Sequence, residues 1–125
     1  MTYTAENIRD IKAAGQLEGY IAHERTIIAN LDTAEVIYDA QGEHSASYAH
    51  LTGRYGTDFE DGGRNVVVWL SYDRDWERKF PLESFDNDFD RAFAYAKATL
   101  RNKLIKDGKA LRASAIARLA ALEAA

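Results

Sequence analysis

Glu77 and Lys79 stand one residue apart in a stretch of alternating character, Trp76-Glu77-Arg78-Lys79-Phe80. On a strand both side chains leave the same face. A lysine beside a carboxylate, joined by a second carboxylate such as Asp58, Asp61, Asp73 or Asp75, is the set with which metal-dependent nucleases hold Mg²⁺ and polarise a water. The same spacing is common on solvated strand faces, where it makes an ordinary ion pair worth little energy. A metal-dependent hydrolase at Glu77 and Lys79 is therefore an alternative reading rather than the leading one.

Other sets with chemical promise fail on spacing. Asp86-Asn87-Asp88-Phe89-Asp90 opens like a calcium loop, but the sixth and twelfth positions, which need Gly and Glu, are Arg91 and Lys97. Those aspartates instead suit the positive end of a helix dipole. His23-Glu24 starts a zinc-protease motif whose second His would fall on Ile27. His44 and His50 lie six apart, which matches neither helical nor strand ligand spacing. No glycine pair is followed by Gly-Lys-Ser/Thr, and there is no Gly-x-Ser-x-Gly elbow. The chain has no cysteine, which removes disulfides, thiolate metal sites and cysteine nucleophiles. The sequence thus points to no cofactor and no metal, and favours a non-enzymatic role.

The elements that would position any site follow from periodicity. Thr4 precedes an apolar-periodic run through Ile8 and Ile11 that Gly15 closes, which predicts a helix from Ala5 to about Ala14. From Gln16, Leu17, Tyr20, Ile21, Ile28 and Leu31 share a helical face that Glu24 interrupts; the competing reading is a strand through 26–29. Asp32-Thr33-Ala34-Glu35 reads as a capping box, predicting a further helix through Val36, Ile37 and Ala40 to Gly42. Residues 45–55 fit strand and helix equally. Residues 57–64 read as a loop. Asn65 to Tyr72 is the clearest strand, and Trp76 to Leu82 returns as its hairpin partner. From Asp86 a long amphipathic helix runs to the end, its apolar residues repeating at eleven through Phe89, Leu100, Leu111 and Leu122, with Asp107-Gly108 as the place for a break or bend.

The expected fold is thus α+β in a single domain of residues 1–125: mostly helical, with a short antiparallel sheet around the 65–82 hairpin and a long C-terminal helix over 86–125. Trp69, Trp76, Phe80, Phe85, Phe89 and Phe93 should form the central cluster, where strand and helix faces converge. At 125 residues, 46% hydrophobic and 29% charged, the chain has enough apolar surface for a core without a staple. No stretch reaches the ~18 apolar residues of a membrane helix and the N-terminus lacks a signal-peptide pattern, so the expectation is a cytoplasmic protein that avoids membranes.

Charge divides sharply along the chain. Residues 91–125 carry eight basic and two acidic residues, a net +6, and residues 1–90 carry eight basic and eighteen acidic, a net −10. Such a split limits what each part can touch. The lysines and arginines lie around the C-terminal helix rather than in one strip, with few aromatics for base stacking. The leading expectation is a protein-interaction module that binds a partner protein, or self-associates into a homo-oligomer, through Leu104, Lys106, Lys109, Leu111, Arg112, Ile116, Leu119 and Leu122. The partner of the basic residues is an acidic protein surface, including the chain's own first 90 residues. Small size, acidity and the missing cysteine suit an accessory or inhibitory protein of the kind phages and mobile elements encode. Nucleic-acid binding by the basic helix is the first alternative.

Overall fold

Thr4 sets the first element. In the computed structural model, which describes residues 2–58 and 62–125, the Thr4 hydroxyl accepts from the Asn7 N–H and the Asn7 side chain accepts from the Thr4 N–H. This reciprocal cap starts helix α1, Ala5–Ala13. Gly15 takes a left-handed φ of +70° that a side chain would oppose, and the chain re-enters a helix, α2, Leu17–Asp32. Strands β1 (Val36–Tyr38), β2 (Ser45–Tyr48), β3 (Leu51–Thr57), β4 (Asn65–Leu70) and β5 (Glu77–Pro81) follow, then a 3₁₀ turn at Leu82–Phe85 and one unbroken helix α3, Phe89–Glu123. The fold is α+β, as the periodicities indicated.

The chain forms two compact units, Met1–Ala34 with Asp107–Ala125, and Glu35–Lys106. Their boundary passes through α3 at Asp107, next to the Gly108 that the sequence marked.

In the first unit the helices bury Ile11, Leu31, Ala115 and Leu122. Glu24, the residue that interrupts the apolar face of α2, is also buried, with only 2% of its surface exposed. Its Oε1 accepts from Arg118 Nε of α3 at 2.8 Å. The second carboxylate oxygen, Oε2, is buried without a hydrogen-bond partner among the described residues. The bond from Arg118 to Glu24 holds the guanidinium pKa above its ordinary value, against the opposing effect of burial. Two exposed pairs flank the buried one, Arg112 with Asp32 at 2.6 Å and Arg25 with Glu123 at 2.7 Å. Exposed pairs contribute under about 1 kcal/mol each, whereas breaking a buried pair leaves a charge without compensation.

In the second unit the five strands form one antiparallel meander in chain order. One face carries Ala46, Leu51, Gly53, Tyr55, Val66, Val68 and Leu70, all buried. A row spaced by four residues on α3, Ala92, Ala96, Leu100 and Leu104, is fully buried as well. Gly53 is what lets helix and sheet meet. A Cβ there would sit 2.4 Å from Leu100 Cδ1 and 2.8 Å from the Trp69 carbonyl oxygen. Aromatics close the two flanks. His44 stacks between Tyr55 and Phe93, each at 5.0 Å, and Phe89 stacks on Phe93. Elsewhere Tyr95 meets Phe80 and Phe85.

Two expectations are corrected and an open one is resolved. The helix predicted over 33–42 is instead the end of α2 followed by β1. The Thr33 hydroxyl bonds back to the Ala29 carbonyl, so this threonine closes a helix rather than opening one. Val36, Ile37 and Tyr38 are β-branched or aromatic and pair with β2. The open reading of 45–55 resolves to strand: β2 and β3, with β1, extend the 65–82 hairpin into a five-stranded antiparallel sheet. The six-residue aromatic cluster divides: Phe80 and Phe85 join Tyr95, Phe89 and Phe93 join His44 and Tyr55, and Trp69 lies on the opposite face of the sheet. The candidate carboxylate Asp61 and the adjoining part of the predicted 57–64 loop lie outside the described residues.

Glu24→Ala is expected to lower stability in urea unfolding by about 3 kcal/mol or more, through the uncompensated Arg118. Gly53→Ala is expected to lower it by about 1–3 kcal/mol, since both atoms facing the new methyl are packed. Burial, and after it the charge of Glu24 for Tyr3 and of Asp39 for Tyr55, raises both phenol pKa values above 10.0. The unfolded chain releases these protons near pH 10 and the folded chain only at higher pH. Their contribution is therefore complete below about pH 10 and is lost as pH rises through the folded values. Melting temperature followed from neutral to strongly alkaline pH should fall above about pH 10, and less steeply in Tyr3→Phe and Tyr55→Phe.

Candidate functional site

The face of the sheet turned away from the α3 row is built by the alternate residues of the same strands. On β3 these are Thr52, Arg54 and Gly56, on β4 Asn65, Val67 and Trp69, and on β5 Glu77 and Lys79. The register sets them in rows. Arg54, Trp69 and Glu77 lie side by side, and Gly56, Val67 and Lys79 form the next row. A Cβ on Gly56 would touch the Trp69 ring at 3.6 Å, so the indole lies over this glycine. Trp69 is 39% exposed, with Arg54 and Glu77 at the register positions on the neighbouring strands.

Lys79 closes one corner. Its Nζ lies 3.0 Å from Asp58 Oδ2 and 3.9 Å from Glu77 Oε1. The structure thus brings together Asp58, Glu77 and Lys79, the residues considered for metal-dependent hydrolysis. The ammonium is already within ion-pair reach of both carboxylates, and the three groups sum to a single negative charge. Among the described residues no group of three His, Asp or Glu side chains is placed to hold a metal ion. Arg54 is drawn toward the β1–β2 turn, where its guanidinium donates to the Gln41 carbonyl and lies against Gly42. Beneath that turn the buried Ser45 hydroxyl donates to the Gly42 carbonyl at 2.8 Å and accepts from the Gln41 N–H.

The residues of α3 proposed from the sequence have separate fates. Leu104 and Leu122 are fully buried in the chain's own packing, which removes them from any contact with a partner. Leu111 and Leu119 are half-buried. Ile116 is 41% exposed, the most exposed apolar residue of this set. Arg112 is bound to Asp32, while Lys106 and Lys109 are exposed. Most of the basic residues of this segment have partners within the chain. Arg91 pairs with Asp86 and Arg118 with Glu24, Lys97 sits 4.1 Å from the centre of the Tyr38 ring, and Lys103 lies 5.7 Å from that of Trp76. Asp88 caps α3, accepting from the N–H groups of Asp90 and Arg91.

Sequence reasoning placed Trp69 in the core. In the run Val-Val-Val-Trp-Leu every residue is apolar, so alternation gives no sign of an outward face. The sign lies across the strands, in Arg54 and Glu77 opposite the indole, and only the register displays it. No helix among the described residues is long and apolar enough to cross a membrane. Comparison of the chain with protein-family models, curated proteins and solved structures gives no match.

Proposed function

We propose that the chain is a non-enzymatic protein-interaction module that meets its partner through the sheet face centred on Trp69. The observation that carries this reading is the indole itself, lying over Gly56 and partly open to solvent, with Arg54 and Glu77 at the flanking register positions. Tryptophans in such settings, rimmed by charged side chains, supply a large share of interface energy. The surrounding charges are mixed in sign, which suits a protein surface better than a phosphate backbone. The distribution of cations on α3 supports the same choice. Arg91, Lys97, Lys103, Arg112 and Arg118 are engaged within the chain, and the molecule as a whole carries a net charge of −4. That is a thin electrostatic footprint for nucleic acid.

The test is partner capture from the native host by the wild-type chain and by Trp69→Thr, which keeps a strand-favouring residue. The captured protein should bind the variant at least about tenfold more weakly, with circular dichroism and melting otherwise preserved. A partner held equally by both proteins would contradict this reading. Mg²⁺- or Mn²⁺-dependent hydrolysis abolished by Glu77→Ala would replace it with the hydrolase alternative.

A further inference from the structure

Strand β1 ends the sheet, and among the described residues no other strand lies on its outer side. The register shows which of its backbone groups face that edge. The Asp39 N–H donates to the Ser45 carbonyl, and Ile37 lies opposite Ser47 two residues back. In an antiparallel ladder these are the positions bonded to β2, so Val36 and Tyr38 turn their N–H and C=O groups outward. Between them Ile37 is 58% exposed, the most of the large apolar residues among the described ones, ahead of Tyr95 at 54%. The opposite edge is defended by contrast: β5 carries Glu77, Arg78, Lys79 and Pro81, and proline and charge both discourage strand addition. Glu35 and Asp39, both exposed, bracket Val36-Ile37-Tyr38; one oxygen of Asp39 accepts from the His44 N–H at 3.0 Å and Glu35 stands at the other end. Lys97, the cation against this strand, is held over the Tyr38 ring.

We infer that the β1 edge accepts an extended peptide segment of a partner protein as a sixth strand, and that this segment carries an apolar residue flanked by lysine or arginine. The inference rests on the interaction-module reading and adds to it a second contact and the chemistry of what binds there. Main-chain bonds to Val36 and Tyr38 supply affinity, Ile37 supplies an apolar contact, and Glu35 and Asp39 select the charge. The same charges argue against a second copy of this chain. Two β1 strands paired antiparallel about Ile37 bring Glu35 of each toward the turn that Asp39 begins on the other, where Asp39 has a left-handed φ of +62° and accepts from the His44 N–H at 3.0 Å, so like charges are brought near one another.

The probe is the capped peptide acetyl-Lys-Val-Ile-Val-Lys-amide, titrated into the ¹⁵N-labelled full chain and followed by amide shifts and hydrogen exchange. Shifts should centre on Val36, Ile37 and Tyr38, and exchange at the Val36 and Tyr38 amides should slow. The peptide with glutamates for lysines should bind at least about tenfold more weakly, and backbone N-methylation of the peptide on its edge-facing amides should abolish binding. Glu35→Gln should weaken the lysine peptide without changing the remaining spectrum. Trp69→Thr should bind it as the wild type does, so failure at Trp69 and failure at the edge remain separate. Equal binding of the acidic peptide, an absence of shifts at β1, or β1 shifts that grow with the chain's own concentration would overturn the inference.

Discussion

A carboxylate in the middle of an apolar helix face has to be answered from another helix. Glu24 sits among Tyr20, Ile21, Ile28 and Leu31 on α2, and Arg118 of α3 answers it at 2.8 Å. The first unit buries few large apolar side chains, Ile11, Leu31 and Leu122 with the smaller Ala115. Its helices therefore depend on this pair for which faces meet as well as for how firmly. A misaligned α3 would leave Glu24 buried with neither water nor a cation, a cost of several kcal/mol. Apolar residues of similar volume commonly match or exceed such a pair in stability, so what the pair adds is the choice of which faces meet.

The same helix solves a different problem in the second unit. There α3 offers alanines and leucines at four-residue spacing, and the sheet offers a glycine, Gly53, where the backbones come nearest. Close approach is bought with small residues rather than filled with large ones. The aromatics consequently move to the flanks, to His44, Tyr55 and Phe93 on one side and Phe80, Phe85 and Tyr95 on the other. Trp69 goes to the far face of the sheet, where it is available to a partner. The functional proposal therefore follows from the packing solution: a sheet whose core side is closed by small residues leaves its large indole outside.

Much of this was legible in the sequence where local signals agree with one another. Thr4 and Gly15 bracket α1 by their own capping chemistry, and the β-branched run at 66–68 makes β4 plain. Local signals failed where tertiary context decides. Asp32-Thr33-Ala34-Glu35 has the letters of a helix start, yet Thr33 serves the helix before it. The eleven-residue repeat on α3 followed the large residues Phe89, Leu100, Leu111 and Leu122, of which only Leu100 and Leu122 are fully buried. The row that packs on the sheet includes Ala92 and Ala96, and alanine carries too weak a hydrophobic signal to stand out. Glu24 was visible as an interruption, and Arg118 as one of eight cations, but nothing short of the fold could join residues 94 positions apart. The candidate site was less legible still, because Trp69 faces outward only by register.

The positive charge of the C-terminal segment, set against the acidic body, is thereby assigned largely to the chain's own architecture. The most direct test is a double-mutant cycle on Glu24 and Arg118, with Glu24→Gln, Arg118→Met and the double variant compared by urea unfolding. The account predicts a coupling energy of about 2 kcal/mol or more, little changed by high salt because the pair is buried. A coupling below about 0.5 kcal/mol, or one that vanishes in salt as an exposed pair's would, contradicts it.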